Sequence, residues 1–383
     1  MRKIVFSLFA LTAFVLIYQC KQPQRKIGED ELALKWIKNY PNETSKKVRT
    51  GLLWAFAFTG ALLPEDDIDK AIDRINDSTF VINFSYMGFD ENAIKQWKNI
   101  VNYTKQTEEY KHNNSIDLGR FLMFSIYSSW HYYAITGVPD SLSKIIENPI
   151  GNANMETIPI SKSCVAKGLR MIKYDGKGNI LNRRLIAMEG NGSMETNDFS
   201  TEIFEVLTVM KNGQMRYAIY DKLGKLMDAS PKQFGEAGKP SKCLWCHEGN
   251  LSLLFTNTPD YNGYKKIDVF TTEMKELNAM LVEYRKTLNT ALDYSKNLEH
   301  KLSRFLYIGF MEPSAQRLAQ EWNLTEMQVQ EKLKGIPTHV NTEYQFLGNL
   351  YHRSDVAKFS LFKSLPVPSS AREPNNEEPN IFK

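Results

Sequence analysis

The chain has 383 residues, 42% of them hydrophobic and 24% charged, with a formal charge of +4. This is the composition of an ordinary globular protein of two or three domains, without a low-complexity core. Two basic residues, Arg2 and Lys3, stand at the extreme N-terminus, and what remains is too nearly neutral to argue for a nucleic-acid partner.

Arg2 and Lys3 precede an uncharged apolar run from Ile4 to Tyr18, the charged and apolar parts of an export signal. The run is short for a membrane span. It ends at Cys20 with no small-x-small cleavage site before it, a placement that resembles the modified cysteine of a bacterial lipoprotein, although Ile17, Tyr18 and Gln19 stand where small residues are usual. Residues 1–19 are therefore expected to be an export signal, with Cys20 the lipidated first mature residue. The protein would then lie in the bacterial periplasm, anchored to the inner or outer membrane. An uncleaved anchor, or a structural cysteine at position 20, are the alternatives.

Residues 28–155 read as helical. Trp36, Ile37 and Tyr40 form one stripe, Val48 to Leu63 is nearly continuous apolar sequence ended by Pro64, and Ala93 to Tyr110 is amphipathic. Leu118 to Ile135 reads as a buried helix stopped by Gly137 and Pro139. Its aromatic residues, among them Phe121, Phe124, Trp130, His131 and Tyr133, could line a cofactor pocket or simply fill a core.

Residues 156–250 change to an alternating period. Strands are expected over Cys164–Tyr174, Ile180–Met188, Glu202–Met210 and Met215–Tyr220, with Asn212-Gly213 the strongest hairpin signal. Directly after them stands Cys243-Leu-Trp-Cys246-His247. Cysteines three apart fall on one side of a helical turn, so both thiols can reach the two vinyl groups of a haem while His247 reaches the iron. A zinc site would want a second Cys/His pair, and Cys164 and Cys20 lie far apart with no histidine near them. A thioredoxin-like pair would want a preceding strand, whereas Phe234 to Pro240 reads as a loop. The expected cofactor is one covalent haem c, held by Cys243 and Cys246 with His247 as axial ligand. Cys164 is left to pair with Cys20 as a disulfide, or to remain a buried thiol if Cys20 is lipidated.

A meander closed by this motif resembles the β-type c-type cytochromes, the green-haem hydroxylamine-oxidising and c′-β gas-binding kinds. The resemblance rests on Arg216 to Asp221 ahead of the motif and on Cys243 to Glu248, and covers roughly a quarter of the chain. It implies haem chemistry and, in the green-haem kind, a lysine cross-linked to the porphyrin, for which Lys162 and Lys173 stand at rough positions.

Residues 251–365 return to helices. Asp268 to Leu306 is long and amphipathic; Glu312 to Leu333 reads as a helical hairpin whose second helix opens with a Thr325–Gln328 capping box. Residues 366–383, rich in proline, read as an extended tail with no core-forming pattern. The sixth iron position decides the role. Met274, Met280 and Met311 are its methionine options, and His131, His300, His339 and His352 its histidine options. No carboxylate pair, Ser/His/Asp set or phosphate loop is visible. The sequence thus leads to an exported α+β haem c protein that exchanges electrons with a redox partner protein. The alternative is a haem enzyme or gas sensor with an open sixth position.

Overall fold

The fold is α+β, with helices on both sides of an antiparallel sheet. The structure, a computed structural model, describes residues 25–146, 155–175, 178–194, 196–255 and 258–383, so the expected export signal over residues 1–19 and Cys20 lie outside the described residues.

The N-terminal segment carries β1 (Glu31–Lys35), α1 (Ser45–Phe58), β2 (Ile72–Asn76), β3 (Thr79–Asn83), α2 (Glu91–Lys105), α3 (Glu108–Asn113), β4 (Ile116–Asp117), α4 (Leu118–Ser125) and α5 (Ser129–Thr136). To the expected helices it adds a four-stranded sheet of order β2-β3-β1-β4. β1 sits inside that sheet, antiparallel to β3 and parallel to β4. With Leu32, Ala33 and Leu34 all buried, its period of two is erased, and Trp36 to Tyr40 follows it as a turn rather than a helix. The expected single helix over Leu118–Ile135 breaks between α4 and α5. Carbonyls freed by the break are taken up by buried side chains: Lys239 Nζ donates to Tyr127 O at 2.7 Å, and His131 Nδ1 lies 2.6 Å from Phe124 O.

The alternating segment forms a six-stranded meander: β5 (Met155–Ile160), β6 (Arg170–Asp175), β7 (Arg184–Asn191), β8 (Ser200–Val209), β9 (Met215–Asp221) and β10 (Leu226–Met227). Two of these expected strands begin later than their patterns suggest. Cys164 to Leu169 is a loop, in which Ser163 Oγ accepts from the N–H groups of Val165 and Ala166. Ile180–Asn182 is a 3₁₀ turn, and β7 starts where the Asp175 carboxylate takes the backbone N–H and the guanidinium of Arg184. The Asn212-Gly213 hairpin forms as expected, with Gly213 at φ 78°.

One face of the meander packs on α5 and on residues 138–146, through Ile186, Val206, Ala218 and Tyr220. The other face presents Ile160, Arg170, Ile172, Leu185, Glu205, Leu207 and Tyr217, as the paired registers require. That face is covered by α6 (Pro240–His247) and α7 (Ile267–Lys286).

The long pattern from Asp268 to Leu306 is α7, a 3₁₀ segment Tyr294–His300 and the start of α8 (Lys301–Met311); α9 (Ala315–Trp322) and α10 (Glu326–Lys332) follow. The Thr325–Gln328 capping box forms as expected. A two-stranded ribbon of β11 (His339–Val340) and β12 (Asn349–Leu350) completes this segment. One hydrophobic cluster takes residues from all three segments, from Leu32 through Tyr217 to Phe310, and a small satellite cluster packs around Leu318, Trp322 and Val329.

The last residues are extended as expected but correct the expectation that they form no part of a core. Residues 363–383 have no helix or strand, yet Leu365 and Ala371 are buried in the main cluster, and Glu378 forms a buried ion pair with Lys239. The segment lacks periodicity because it docks through single side chains and backbone carbonyls, not through a repeating face.

Candidate functional site

α6 is short because its ends are set chemically. Pro240 stands at its first turn, where the missing N–H costs nothing, and Glu248 and Gly249 leave it in the left-handed region at φ 50° and 75°. Arg285 of α7 fixes that exit, donating to Gly249 O at 2.6 Å and to Gly213 O in the β8–β9 turn at 2.9 Å. The helix is therefore tied to the sheet beneath it.

Cys243, Cys246 and His247 all face one pocket between α6, the meander and α7. The pocket is mainly apolar, lined by Ile160, Ile172, Leu185, Leu207, Leu251, Leu253, Phe255, Phe270 and Met274. The pocket is partly open, with a cavity volume of about 100 Å³ and about 730 Å³ of atom-free space once its open side is counted. All three described cysteines are free thiols, and Cys164 is exposed, not buried as expected.

Burial pushes the Cys243 thiol well above the usual range, with the Glu205 carboxylate adding to it, and burial raises Cys246 as well. Burial also lowers His247 to about 4, helped by the neighbouring Arg170 cation. The imidazole is therefore neutral, and its Nδ1 is buried without a hydrogen-bond partner among the described residues. Tyr217 lies near parallel to it, ring centroids 6.0 Å apart. Two thiols, a neutral imidazole with an unused nitrogen and an apolar wall make a donor set that fits haem c. No group of three or more His, Cys, Asp or Glu side chains among the described residues is placed to hold a metal ion directly.

Sequence reading missed the charged floor of the pocket. Arg170 on β6 meets Glu189 on β7 and lies 2.9 Å from Glu205 on β8. All three point inward, by the pairing of Arg170 with Glu189 and of Ala187 with Glu205. Burial raises Glu205, with Arg170 opposing. Two carboxylates share one guanidinium, and each keeps one buried oxygen unpartnered among the described residues. The available signal was charge at inward positions of three adjacent strands, but it becomes readable only once the register is known.

The candidate ligands separate clearly. Met274 lines the pocket with the motif. Met280 is exposed on the same helix, and Met311 lines a different cavity beside the tail. Both nitrogens of His131 are engaged, by Phe124 O and Ile381 N, and both of His300, by Asn297 O and Arg304. His339 and His352 stack on each other 4.1 Å apart, near Glu312. The aromatic residues of α4 and α5 belong to the core, and none lines the pocket. Lys162 is exposed and outside the pocket lining, and Lys173 alternates onto the opposite face of β6 from Arg170 and Ile172.

Comparison of the chain with known protein families, characterised proteins and solved structures found no match to any of them.

Proposed function

We propose that this chain is an exported haem c protein, in which Cys243 and Cys246 hold one haem through thioether bonds, His247 is an axial ligand, and the role is electron transfer to and from a redox partner protein. The observation that carries the reading is the joint exposure of both thiols and a neutral imidazole to one apolar pocket. When bound, the haem supplies a one-electron centre. The residues of the chain do the rest: Arg285 holds the end of the motif helix, Tyr217 backs the imidazole, and the aliphatic wall excludes water. Export fits the N-terminal sequence, and a diacyl anchor at Cys20 fits its position.

A second reading is favoured by the Arg170–Glu205 pair in the pocket wall. A buried acid in the same pocket as the motif would suit a haem enzyme or gas-binding sensor, in which Glu205 would hold a proton at the pocket wall. The test is the visible spectrum of protein made in a host that attaches haem c, oxidised and reduced, with and without carbon monoxide. Sharp low-spin bands indifferent to the gas favour electron transfer, with Met274 as the pocket's available second ligand. A high-spin spectrum that shifts with the gas favours the second reading, and a chain that acquires no covalent haem overturns both. Intact mass of membrane-extracted protein tests the lipid on Cys20.

A further inference from the structure

The C-terminal segment does more than fill a gap, because its contacts converge on the motif helix. Arg372 O accepts from Lys239 N at 2.8 Å, Ala371 O accepts from Ser241 Oγ, and Glu373 pairs with Lys242 at 2.7 Å. The Arg372 guanidinium lies 4.6 Å from the ring of Trp245, inside the motif itself, and its charge is felt by the Cys246 thiol. Gly238 shows how close the approach is, since a Cβ there would run into Arg372 O.

The far end of the segment is fastened to a different element. Glu378 takes the Lys239 ammonium at 2.7 and 3.0 Å and also accepts from Ser129 N at 2.7 Å, where α5 begins. Pro379 O accepts from Ser128 Oγ, and Ile381 N donates to His131 Nε2. Lys239 is the hub: it stands immediately before α6, pairs with the tail and donates to the carbonyl of Tyr127 at the α4–α5 break. A salt bridge this deeply buried holds strongly only while both partners are present.

We propose that residues 369–382 form a latch on the motif helix: docked, they fix α6 and hold Cys246 in its pocket, and undocked they release the motif helix for haem attachment. The purpose assigned to the latch rests on the haem c reading; its mechanics do not. The segment lies far downstream of the motif, so the motif is made before anything can close over it. The docked segment has no ladder of backbone bonds to itself and is held by discrete contacts, which is how an element that opens locally is built.

The test uses the full-length apoprotein, kept reduced, with N-ethylmaleimide as probe and peptide mass spectrometry as readout. Glu378→Ala is expected to speed alkylation of Cys246 by about tenfold or more, since it leaves Lys239 buried without its partner. Glu377→Ala, at an exposed neighbour, should match wild type, as should alkylation of the exposed Cys164 in every variant. Ile381→Pro removes one N–H donor to His131, leaves Lys239 and Glu378 intact and should act in the same direction more weakly. Should Glu378→Ala disturb the sheet, seen as lost hydrogen-exchange protection in β8 and β9, the Ile381→Pro result decides. Wild-type alkylation rates at Cys246 in both variants overturn the latch. A chain that acquires no haem leaves a positive labelling result standing, so the two readings fail separately.

Discussion

Among single residues, the buried Arg170–Glu189–Glu205 group has the sharpest functional consequence. Glu205 sits in the pocket wall near Cys243, and burial raises it above the usual carboxylate range. A carboxylate that ionises next to a redox centre stabilises the oxidised form, so with haem bound as proposed the midpoint potential should rise as pH falls through the Glu205 titration. Glu205→Gln should flatten that dependence and raise the potential at high pH by tens of millivolts, on a scale where a tenfold one-electron change is about 59 mV. Potentiometric titration of both proteins across pH checks it; identical slopes would remove Glu205 from the site. The histidines set a separate dependence, on stability. Burial lowers His131 and His300 to about 4 from 6.5, so between these values the unfolded chain binds protons that the folded chain refuses. Stability is therefore intact above about pH 6.5 and lost as pH falls toward 4, by up to about 3 kcal/mol for each histidine. Urea titrations of apoprotein at several pH values measure that slope. His131→Gln should make it shallower.

Among elements, α8 is the one around which the helices close. A Cβ on Gly51 of α1 would meet Leu302 O at 2.9 Å, and one on Gly119 of α4 would meet Leu306 O and Phe310 Cβ, both at 2.5 Å. The absent side chains let the helices approach, and Phe310 fills the space beyond them, fully buried. Gly119→Ala forces backbone atoms apart and should destabilise by about 1–3 kcal/mol, read from denaturant midpoints with an unchanged slope. The same elements mark what was legible in the sequence. The helix at Glu326 announced itself through the Thr325–Gln328 capping box, and the hairpin at Asn212-Gly213 through its turn residues, because those signals act over three or four residues. β1 was illegible, since a strand covered on both faces has no alternation to show. The α4–α5 break was illegible for a different reason: its carbonyls are satisfied by Lys239 and His131, and Lys239 comes from far along the chain. In the site, the motif could be read outright, while Arg170, Glu189 and Glu205 needed strand register and Met274 needed the packing of α7.

At the scale of the whole molecule, the satellite cluster around Trp322 is joined to the rest through buried charge. Arg317 on α9 reaches Asp117 of β4 at 2.8 Å and Glu321 at 2.7 Å, and Arg353 clamps Glu321 with two bonds of 2.8 and 2.9 Å. Arg317 also donates to Asn39 Oδ1 at 3.1 Å, so one side chain bridges the first and last segments of the chain. Burial opposes the charge on Glu321, yet Arg353 and Arg317 hold it down to about 2, so the carboxylate remains ionised at neutral pH. Such a hub is costly to break from one side, because the orphaned carboxylate stays buried. Arg317→Met keeps the volume and removes the charge, stranding Asp117; it should cost about 3–5 kcal/mol. The loss should also be uneven. The main cluster runs through all three segments and does not depend on this hub, whereas Leu318, Trp322 and Val329 are attached by it. Hydrogen exchange in the variant should therefore lose protection first over α9 and α10, with β7, β8 and β9 still protected. Loss of protection in the meander at the same denaturant concentration would mean that the two clusters unfold as one unit.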